Sequence, residues 1–312
     1  MEPHAPSNQP EAPAGSALQE APGHVPVLLR EILDFAPERA TRILDATLGL
    51  GGHSFALLSA HQEASLLAFD RDESAIARAE VRLAPFADRT ELRHEDFREG
   101  LSAVGPGLDY AVADLGVSSL QLDAPDRGFS FRFDAPLDMR MDRRQGRSAS
   151  DILNTASEKE LERILTEYGE EPKARAIARS IVVERRSRTV WTTGAFANLV
   201  RRDARGRPGL DPSTRAFQAL RIATNSELQG LDKGLERLAH LLRPGGRLAV
   251  IAFHSLEDRV VKTLFRELKQ SGGFAVLTAK PLVPRDDEAR MNPRARSAKL
   301  RVVEKTAQKA GA

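Results

Sequence analysis

The residues of this chain that could do chemistry begin with a glycine-rich turn, Asp45–Ser54, which reads DATLGLGGHS. The apolar pair Ile43–Leu44 precedes this turn, and a helical pattern starts at Phe55. A strand, a glycine turn and a helix in this order let the backbone approach a nucleotide-like ligand, because the first helical N–H groups point at it. Asp70 ends the next apolar run, about twenty residues later, where an acid can accept hydrogen bonds from ribose hydroxyls. The spacing favours a cofactor site over an ordinary tight turn.

Two cofactors fit such a turn, a dinucleotide and S-adenosylmethionine. The dinucleotide fingerprint needs a third glycine three residues after Gly51, and that position holds Ser54. Asp45 would also repel a pyrophosphate, whereas it suits a ligand with a cationic ammonium or sulfonium group. The residues therefore favour S-adenosylmethionine.

Further polar or aromatic residues follow later apolar runs, namely Phe97, Asp114 and His254. Because ligands of open α/β sheets bind at the carboxyl ends of the strands, we expect these residues at one sheet edge. Each of them alone could be a turn residue. His254 could also simply precede a helix that has Ser255 as its N-cap.

Strand and helix patterns alternate along the chain, which predicts an α/β protein with a parallel sheet covered by helices. The seven strand candidates are Arg42–Ala46, Ser65–Phe69, Thr90–His94, Asp109–Ala113, Arg247–Phe253, Phe274–Thr278 and Lys299–Val303. A polar loop without a helical pattern joins the last two, which predicts an antiparallel edge hairpin. This is the layout of the class I (Rossmann-like) methyltransferase fold, with a seven-stranded, mostly parallel sheet.

Composition divides the chain into a tail, a sheet domain and an insertion. Residues 1–22 contain almost no large apolar side chains, so we expect a disordered tail. The sheet domain is predicted over 23–122 and 213–312, and an inserted all-helical domain over 123–212. Residues 139–225 contain 18 Lys and Arg against 11 Asp and Glu. Arginine binds phosphate in a bidentate way, so this region is predicted to contact nucleic acid; solvated helix faces are the alternative.

The composition also excludes several classes of protein. The 312 residues include no cysteine, which excludes disulfides, thiolate metal sites and cysteine nucleophiles. The 7 histidines are scattered, so no metal site is predicted. Because no run of eighteen apolar residues exists, we expect a soluble, cytoplasmic protein without membrane contact.

Longer motifs carry a family resemblance. They are His24–Leu29, Asp45–Ser54, Asp114–Ser119, Gln121–Asp123, Arg127–Phe131, Pro136–Asp142, Tyr168–Glu171, Ala178–Arg179, Thr214–Ile222, Asn225–Leu228, Pro244–Arg247, Phe253–Arg259 and Asn292–Ser297. With these motifs the chain resembles the RsmH (MraW) family, bacterial methyltransferases that act on N4 of a cytidine in the decoding centre of 16S rRNA. Leu120 departs from the family pattern, in which a proline often stands at this loop position.

The resemblance implies a set of cofactor contacts. They are Gly51, Gly52, His53, Asp70, Phe97, Asp114 and Gln121. The backbone of the first three would hold the methionine end of S-adenosylmethionine, Asp70 the ribose hydroxyls, and Phe97 the adenine. Asp114 and Gln121 would bound the far side, near the reacting centre.

The chemistry of an exocyclic amine suggests two catalytic residues. The amine is a poor nucleophile, so an acceptor for its hydrogens would help the reaction. Asp114 occupies the position where many amino methyltransferases have an Asp or Asn followed by Pro-Pro-aromatic, a sequence absent here; cofactor binding alone is its alternative role. His254, with Ser255, Glu257 and Asp258, could line the base pocket, and the histidine could take up the released proton.

The resemblance names 16S rRNA, within the small ribosomal subunit, as the partner. The arginines expected to meet its phosphates are Arg140, Arg143, Arg144, Arg147, Arg179, Arg185, Arg186, Arg188, Arg201, Arg202, Arg205 and Arg207. A DNA amino-methyltransferase and a cofactor-sensing ribosome assembly factor are the alternative functions. The sequence leaves open whether the chain forms a homodimer.

Overall fold

The computed structural model describes residues 26–187, 189–204 and 211–307, and the predicted tail lies outside them. Seven strands form one sheet in the order β3-β2-β1-β4-β5-β7-β6. They are β1 (Arg42–Asp45), β2 (Ser65–Asp70), β3 (Thr90–His94), β4 (Leu108–Asp114), β5 (Leu242–Ala252), β6 (Phe274–Val276) and β7 (Lys299–Lys305). The first five strands run parallel, and β7 is antiparallel to both of its neighbours. The predicted class I methyltransferase fold is confirmed.

The helices follow the predicted alternation with one exception. They are α1 (Leu29–Phe35), α2 (Gly52–Ala60), α3 (Glu73–Leu83), α4 (Phe97–Gly100), α5 (Ser119–Asp123), α6 (Ala149–Thr155), α7 (Glu158–Glu167), α8 (Ala174–Glu184), α9 (Thr193–Asp203), α10 (Ser213–Asn225), α11 (Leu231–Leu241), α12 (Ser255–Gln270) and α13 (Asp286–Met291). The prediction of a helix-free connection between β6 and β7 is wrong, because α13 lies there. Its first turn contains three acidic residues, which favour a helix N-terminus electrostatically. Within the described ranges, no helix is long and apolar enough to cross a membrane.

The sheet is covered on both faces, as the alternation of side chains along its strands requires. Ile43 of β1 packs in one buried cluster with side chains of α1, α2 and α3, including Leu57. Leu44, the next residue, packs in the opposite cluster with side chains of α4, α11 and α12, including Leu235. Burial on both faces fixes the strand register, because a shift by one residue would exchange the two faces.

The helices between β4 and β5 have a core of their own. Trp191 and Phe196 are fully buried in it, and Phe217 joins them. These aromatic side chains are therefore core residues of the inserted helices. Phe217 and Leu220 belong to α10, which the sequence analysis assigned to the sheet domain from residue 213. Because these side chains pack in the helical core, we propose to extend the insertion to 123–225 and call it the helical layer.

A buried ion pair joins the helical layer to the sheet. Arg127 Nη2 lies 2.8 Å from Asp72 Oδ2, and the two side chains are only 7% and 3% exposed. Arg127 also donates to the carbonyl oxygens of Arg140 and Met141. Nearby, Arg71 donates to the carbonyl of Asn225 at the end of α10. These contacts hold the helical layer against the carboxyl end of β2.

Candidate active site

A cavity of about 380 Å³ lies at the carboxyl ends of the parallel strands. Six of the predicted site residues line it, namely Gly52, His53, Asp70, Phe97, Asp114 and Gln121. Gly51 and His254 are not among the lining residues. The cavity therefore brings together side chains that the sequence placed after four different strands.

Gly51 gives the turn after β1 its shape. Its φ of 73° lies in the left-handed region that favours glycine, and α2 begins at the next residue. Gly52 must also stay small, because a Cβ atom there would lie 2.5 Å from Pro26 Cγ. Nε2 of His53 lies 2.9 Å from the carbonyl oxygen of Val27, which fixes the imidazole ring. The first turn of α2 is thereby held at the cavity wall.

Asp70 connects the end of β2 to the glycine turn. Its Oδ2 accepts a hydrogen bond from the Gly49 N–H at 2.7 Å, and its Oδ1 accepts one from the Asp72 N–H at 2.8 Å. Burial raises the pKa of Asp70 to about 6, although these two hydrogen bonds oppose the shift. Each oxygen keeps a lone pair for a hydroxyl donor. Phe97 forms the adjoining wall, and a Cβ atom on Gly234 would lie 3.0 Å from its ring.

Asp114 ends β4 on the other side of the turn. Its N–H donates to Thr47 Oγ1 at 2.6 Å, and its Oδ2 lies 3.7 Å from His53 Nδ1. Its buried Oδ1 has no hydrogen-bond partner in the part of the chain that the structure describes. Burial raises the pKa of Asp114 well above its ordinary value, and the charges of Asp45 and Glu257 add to this shift. The carboxyl group thus has an unused oxygen to offer to a ligand.

Gln121 is bonded to the protein at both ends of its amide. Its Nε2 donates to Asp72 Oδ2 at 2.8 Å, and its Oε1 accepts from the Ser118 N–H at 3.1 Å. Asp72 in turn pairs with Arg127. Gln121 therefore holds the loop after β4 against the N-terminus of α3 while it forms part of the cavity wall.

The first turn of α12, which follows β5, contributes Glu257 to the cavity wall, with Phe253 beside it. His254 is the N-cap of α12, a position that the sequence analysis considered for Ser255. Its Nδ1 accepts from the Glu257 N–H at 3.3 Å, and its Nε2 lies 3.2 Å from Glu257 Oε1. Burial would raise the pKa of Glu257, but His254 and the charge of Arg221 hold that pKa below its ordinary value.

Arg221 and Glu227 complete this end of the cavity. The guanidinium donates to both carboxylate oxygens of Glu227, at 2.9 Å and 2.8 Å. Glu227, His254 and Glu257 bring their polar atoms within 4.8 Å of one another, a grouping that the sequence analysis did not expect. Arg221 neutralises Glu227, so the remaining negative charge of the group lies on Glu257.

The sequence was compared with families and proteins already known. The profile of the MraW methylase family matches residues 21–306. The chain belongs to the MraW methylase family. A Ribosomal RNA small subunit methyltransferase H from a Cyanothece species is 48% identical to it, over 90% of this chain and 94% of that protein. The protein of the same name from a Geobacter species is 46% identical, over 90% and 98%. A solved rRNA methylase from Streptococcus thermophilus has 14% identity and a TM-score of 0.40, covering 93% of this chain and 100% of that one.

The predicted family and the predicted enzyme class, a methyltransferase, are confirmed. The predicted cofactor, S-adenosylmethionine, is the methyl donor of this enzyme class. Arg221 and Glu227 were not predicted as site residues of this methylase, and Glu257 was predicted only as a neighbour of His254 that could line the base pocket. All three lie in motifs that carried the resemblance, Thr214–Ile222, Asn225–Leu228 and Phe253–Arg259. Those motifs were the signal that could have found them.

Several of the arginines expected at phosphates are engaged within this methylase instead. Arg140 and Arg144 each pair with an aspartate two residues earlier. Arg185 donates to the carbonyl of the residue that caps α6, at 2.6 Å. Arg179 and Arg186 are exposed and form no ion pair within the described ranges. The predicted arginines outside the described residues are Arg188, Arg205 and Arg207.

Proposed function

We propose that this methylase transfers a methyl group from S-adenosylmethionine to the N4 amine of a cytidine in the decoding centre of 16S rRNA. The observation that carries the proposal is a single cavity that holds Asp70 beside a glycine turn and Asp114 with an unused oxygen. The names of the two relatives, small-subunit rRNA methyltransferases, support rRNA as the substrate.

The cavity residues fit the methyl donor. Asp70 has lone pairs for ribose hydroxyls, and Phe97 offers an aromatic face to adenine. Asp114 lines the cavity, and Asp45 is buried at the start of the glycine turn without lining it. Neither acid has a Lys or Arg partner in the described part of the chain, which suits a ligand with an ammonium and a sulfonium charge. S-adenosylmethionine, when bound, supplies an electrophilic methyl group on its sulfonium.

The protein residues bind and orient the amine in this proposal. Asp114 accepts a hydrogen bond from N4, which favours a pyramidal nitrogen and stabilises the positive charge that develops on it. His254 does not line the cavity, so its part in proton uptake is indirect, through Glu257, which lies beside it and faces the cavity. The glycine turn and the β4 loop set the angle of approach, and such positioning supplies much of the acceleration. A base within rRNA must leave its stack to reach the cavity.

The helical layer is the proposed contact for the rRNA backbone. Arg179 and Arg186 lie exposed on or beside α8 and can bind phosphates, which position a substrate without specifying its base. A substrate of this kind, in the small ribosomal subunit, puts the enzyme in the cytoplasm.

The proposal is tested by methyl transfer from labelled S-adenosylmethionine to small subunits from cells that lack this gene. Naked 16S rRNA and DNA are the parallel acceptors, and nucleoside analysis identifies the product. We expect label in N4-methylated cytidine of the small subunit. Label only in DNA, or on carbon 5 of cytosine, would refute the proposal.

A further inference from the structure

Three carboxyl groups face the cavity near the carboxyl ends of β4 and β5, and they differ in how the protein treats their charge. Asp114 has one buried oxygen without a hydrogen-bond partner in the described part of the chain. Glu227 is bound at both oxygens by Arg221. Glu257 has its Oε2 bound by the Phe253 N–H at 2.9 Å and its Oε1 beside His254.

The hydrogen bonds of His254 determine where its proton lies. Its Nδ1 accepts from the Glu257 N–H, so this nitrogen carries no hydrogen. The hydrogen of the neutral ring therefore sits on Nε2, which lies 3.2 Å from Glu257 Oε1. This nitrogen makes no hydrogen bond within the described residues, but a ring N–H so close to a carboxylate still favours the charged form of Glu257 electrostatically. His254 is 8% exposed and Glu257 2%, so solvent screens this interaction little.

The charged groups that face Glu257 from the neighbouring elements favour its ionised form. Arg221 on α10 contributes a positive charge that keeps Glu257 ionised, and Glu227 is already neutralised by the same arginine. Asp114 on β4 is driven toward its neutral form, partly by the charge of Glu257. Because the pKa values of the two carboxyls are pushed apart, Glu257 is the ionised one that can take a proton, and neutral Asp114 can still accept a hydrogen bond at its carbonyl oxygen.

We propose that Glu257 is the carboxylate that takes the proton from the substrate amine, and that His254 is the positioning residue that holds it for this task. This inference rests on the proposed function and names a catalytic residue for it. Asp114 remains in place to bind the amine, and its unused oxygen contacts the same nitrogen.

The proposed step forms one nitrogen–carbon bond, breaks one carbon–sulfur bond and moves one proton. The lone pair of the amine nitrogen forms a bond to the methyl carbon, the carbon–sulfur bond breaks, and its electron pair stays on sulfur. The nitrogen, now positively charged, gives one of its two hydrogens as a proton to a Glu257 oxygen. The neutral N4-methylated cytidine leaves the cavity as part of the rRNA, and the Glu257 carboxylic acid then releases its proton to solvent.

The test is the single-turnover rate of methyl transfer by Glu257→Gln, which keeps the acceptor for the Phe253 N–H and removes the charge. We expect a rate about 100-fold below wild type, the usual contribution of a general base, with an affinity for S-adenosylmethionine within twofold of wild type. His254→Asn keeps an N-cap oxygen and removes the ring. We expect it to move the acid limb of the pH–rate profile to higher pH and to recover most of the rate at pH 8.5.

The outcomes separate this inference from the proposed function. Absence of transfer by the wild type to small subunits refutes the proposed function. Normal wild-type transfer together with a Glu257→Gln rate within threefold refutes the present inference. Loss of cofactor binding in Glu257→Gln, measured by calorimetry, also refutes it, because the residue would then be structural. An unmoved acid limb in His254→Asn refutes the positioning role.

Discussion

The two ends of the cavity hold carboxyl groups by different means. At the β1–β2 end, backbone N–H groups and one hydroxyl bind Asp70 in the wall and Asp45, which is buried beside the glycine turn outside the lining. Burial raises the pKa of each to about 6. At the β5 end, Arg221 and His254 keep Glu227 and Glu257 beside a positive charge or a ring nitrogen. A cationic or hydroxyl-bearing ligand would therefore favour the ionised form of the carboxyl groups at the β1–β2 end. The glutamates at the β5 end are ionised before any ligand binds.

We expect the largest loss of stability when Arg221 is removed from the β5 end of the cavity. Arg221→Met leaves Glu227 and Glu257 as buried carboxylates without their guanidinium, so we expect the free energy of unfolding to fall by about 3 kcal/mol. Urea denaturation measures it. Arg30→Met is the matched control, because Arg30 pairs with Asp34 on the exposed surface, 67% and 65% accessible, where the change should be negligible. Equal losses in the two variants would contradict the contrast between the cavity ends.

A second prediction concerns cofactor binding at the β1–β2 end of the cavity. Asp70→Ala removes the acceptor of the ribose hydroxyls and the acceptor of the Gly49 N–H. We expect S-adenosylmethionine to bind about 100-fold more weakly, because hydrogen bonds to a charged group contribute about 1.5–3 kcal/mol each. Isothermal calorimetry measures the affinity, with Glu80→Ala on the exposed face of α3 as control. An affinity within threefold of wild type would reject this role.

Cofactor affinity should also depend on pH in a way set by this end. Asp45 and Asp70 have a folded pKa near 6, above the ordinary value, so both are largely protonated at pH 5 and ionised at pH 7.5. Because the ligand is a cation, we expect binding about tenfold tighter at pH 7.5 than at pH 5. S-adenosylhomocysteine, which lacks the sulfonium charge, should show a smaller change. Equal slopes for the two ligands would count against the charge argument.

The smallest effect is a gain in stability. Asp114 has a raised pKa, so its contribution to stability is fully present at low pH and is lost as the pH rises through that value. Asp114→Asn removes this loss, and we expect the free energy of unfolding at pH 8 to rise by roughly 1 kcal/mol, with no gain at pH 4. Thermal unfolding of the ligand-free protein at both pH values measures it. A loss of stability at pH 8 in Asp114→Asn would show that Asp114 is stabilised as a carboxylate, like Glu227 and Glu257.

The two ends also differ in what could be predicted from the sequence. The glycine turn, Asp70 and Asp114 follow apolar runs directly, and parallel strands bring their carboxyl ends together by rule. Glu227 and Glu257 become neighbours only when α10 and α12 pack at the cavity, which no local spacing encodes. Reasoning from strand ends therefore found the first group, whereas it placed Glu257 only as a neighbour of His254 and did not find Glu227.

The direction in which a side chain points also could not be predicted from the sequence. His254 does follow β5 as predicted, yet its ring turns back onto the N–H of Glu257 and leaves the cavity wall to the glutamate. The boundary of the helical layer shifted for a similar reason. Residue 213 starts a helix at the expected place, but Phe217 packs with the inserted helices rather than with the sheet.

Because of the ion pair between Arg127 and Asp72, the helical layer and the sheet domain cannot be exchanged independently between proteins. Arg127 lies in the helical layer and Asp72 in the sheet domain, and each is buried against the other. A chimera that grafts residues 123–225 onto another methyltransferase sheet would bury a guanidinium without its carboxylate, at a cost of several kcal/mol. A protein engineer who moves this layer must therefore move the aspartate at the start of α3 with it.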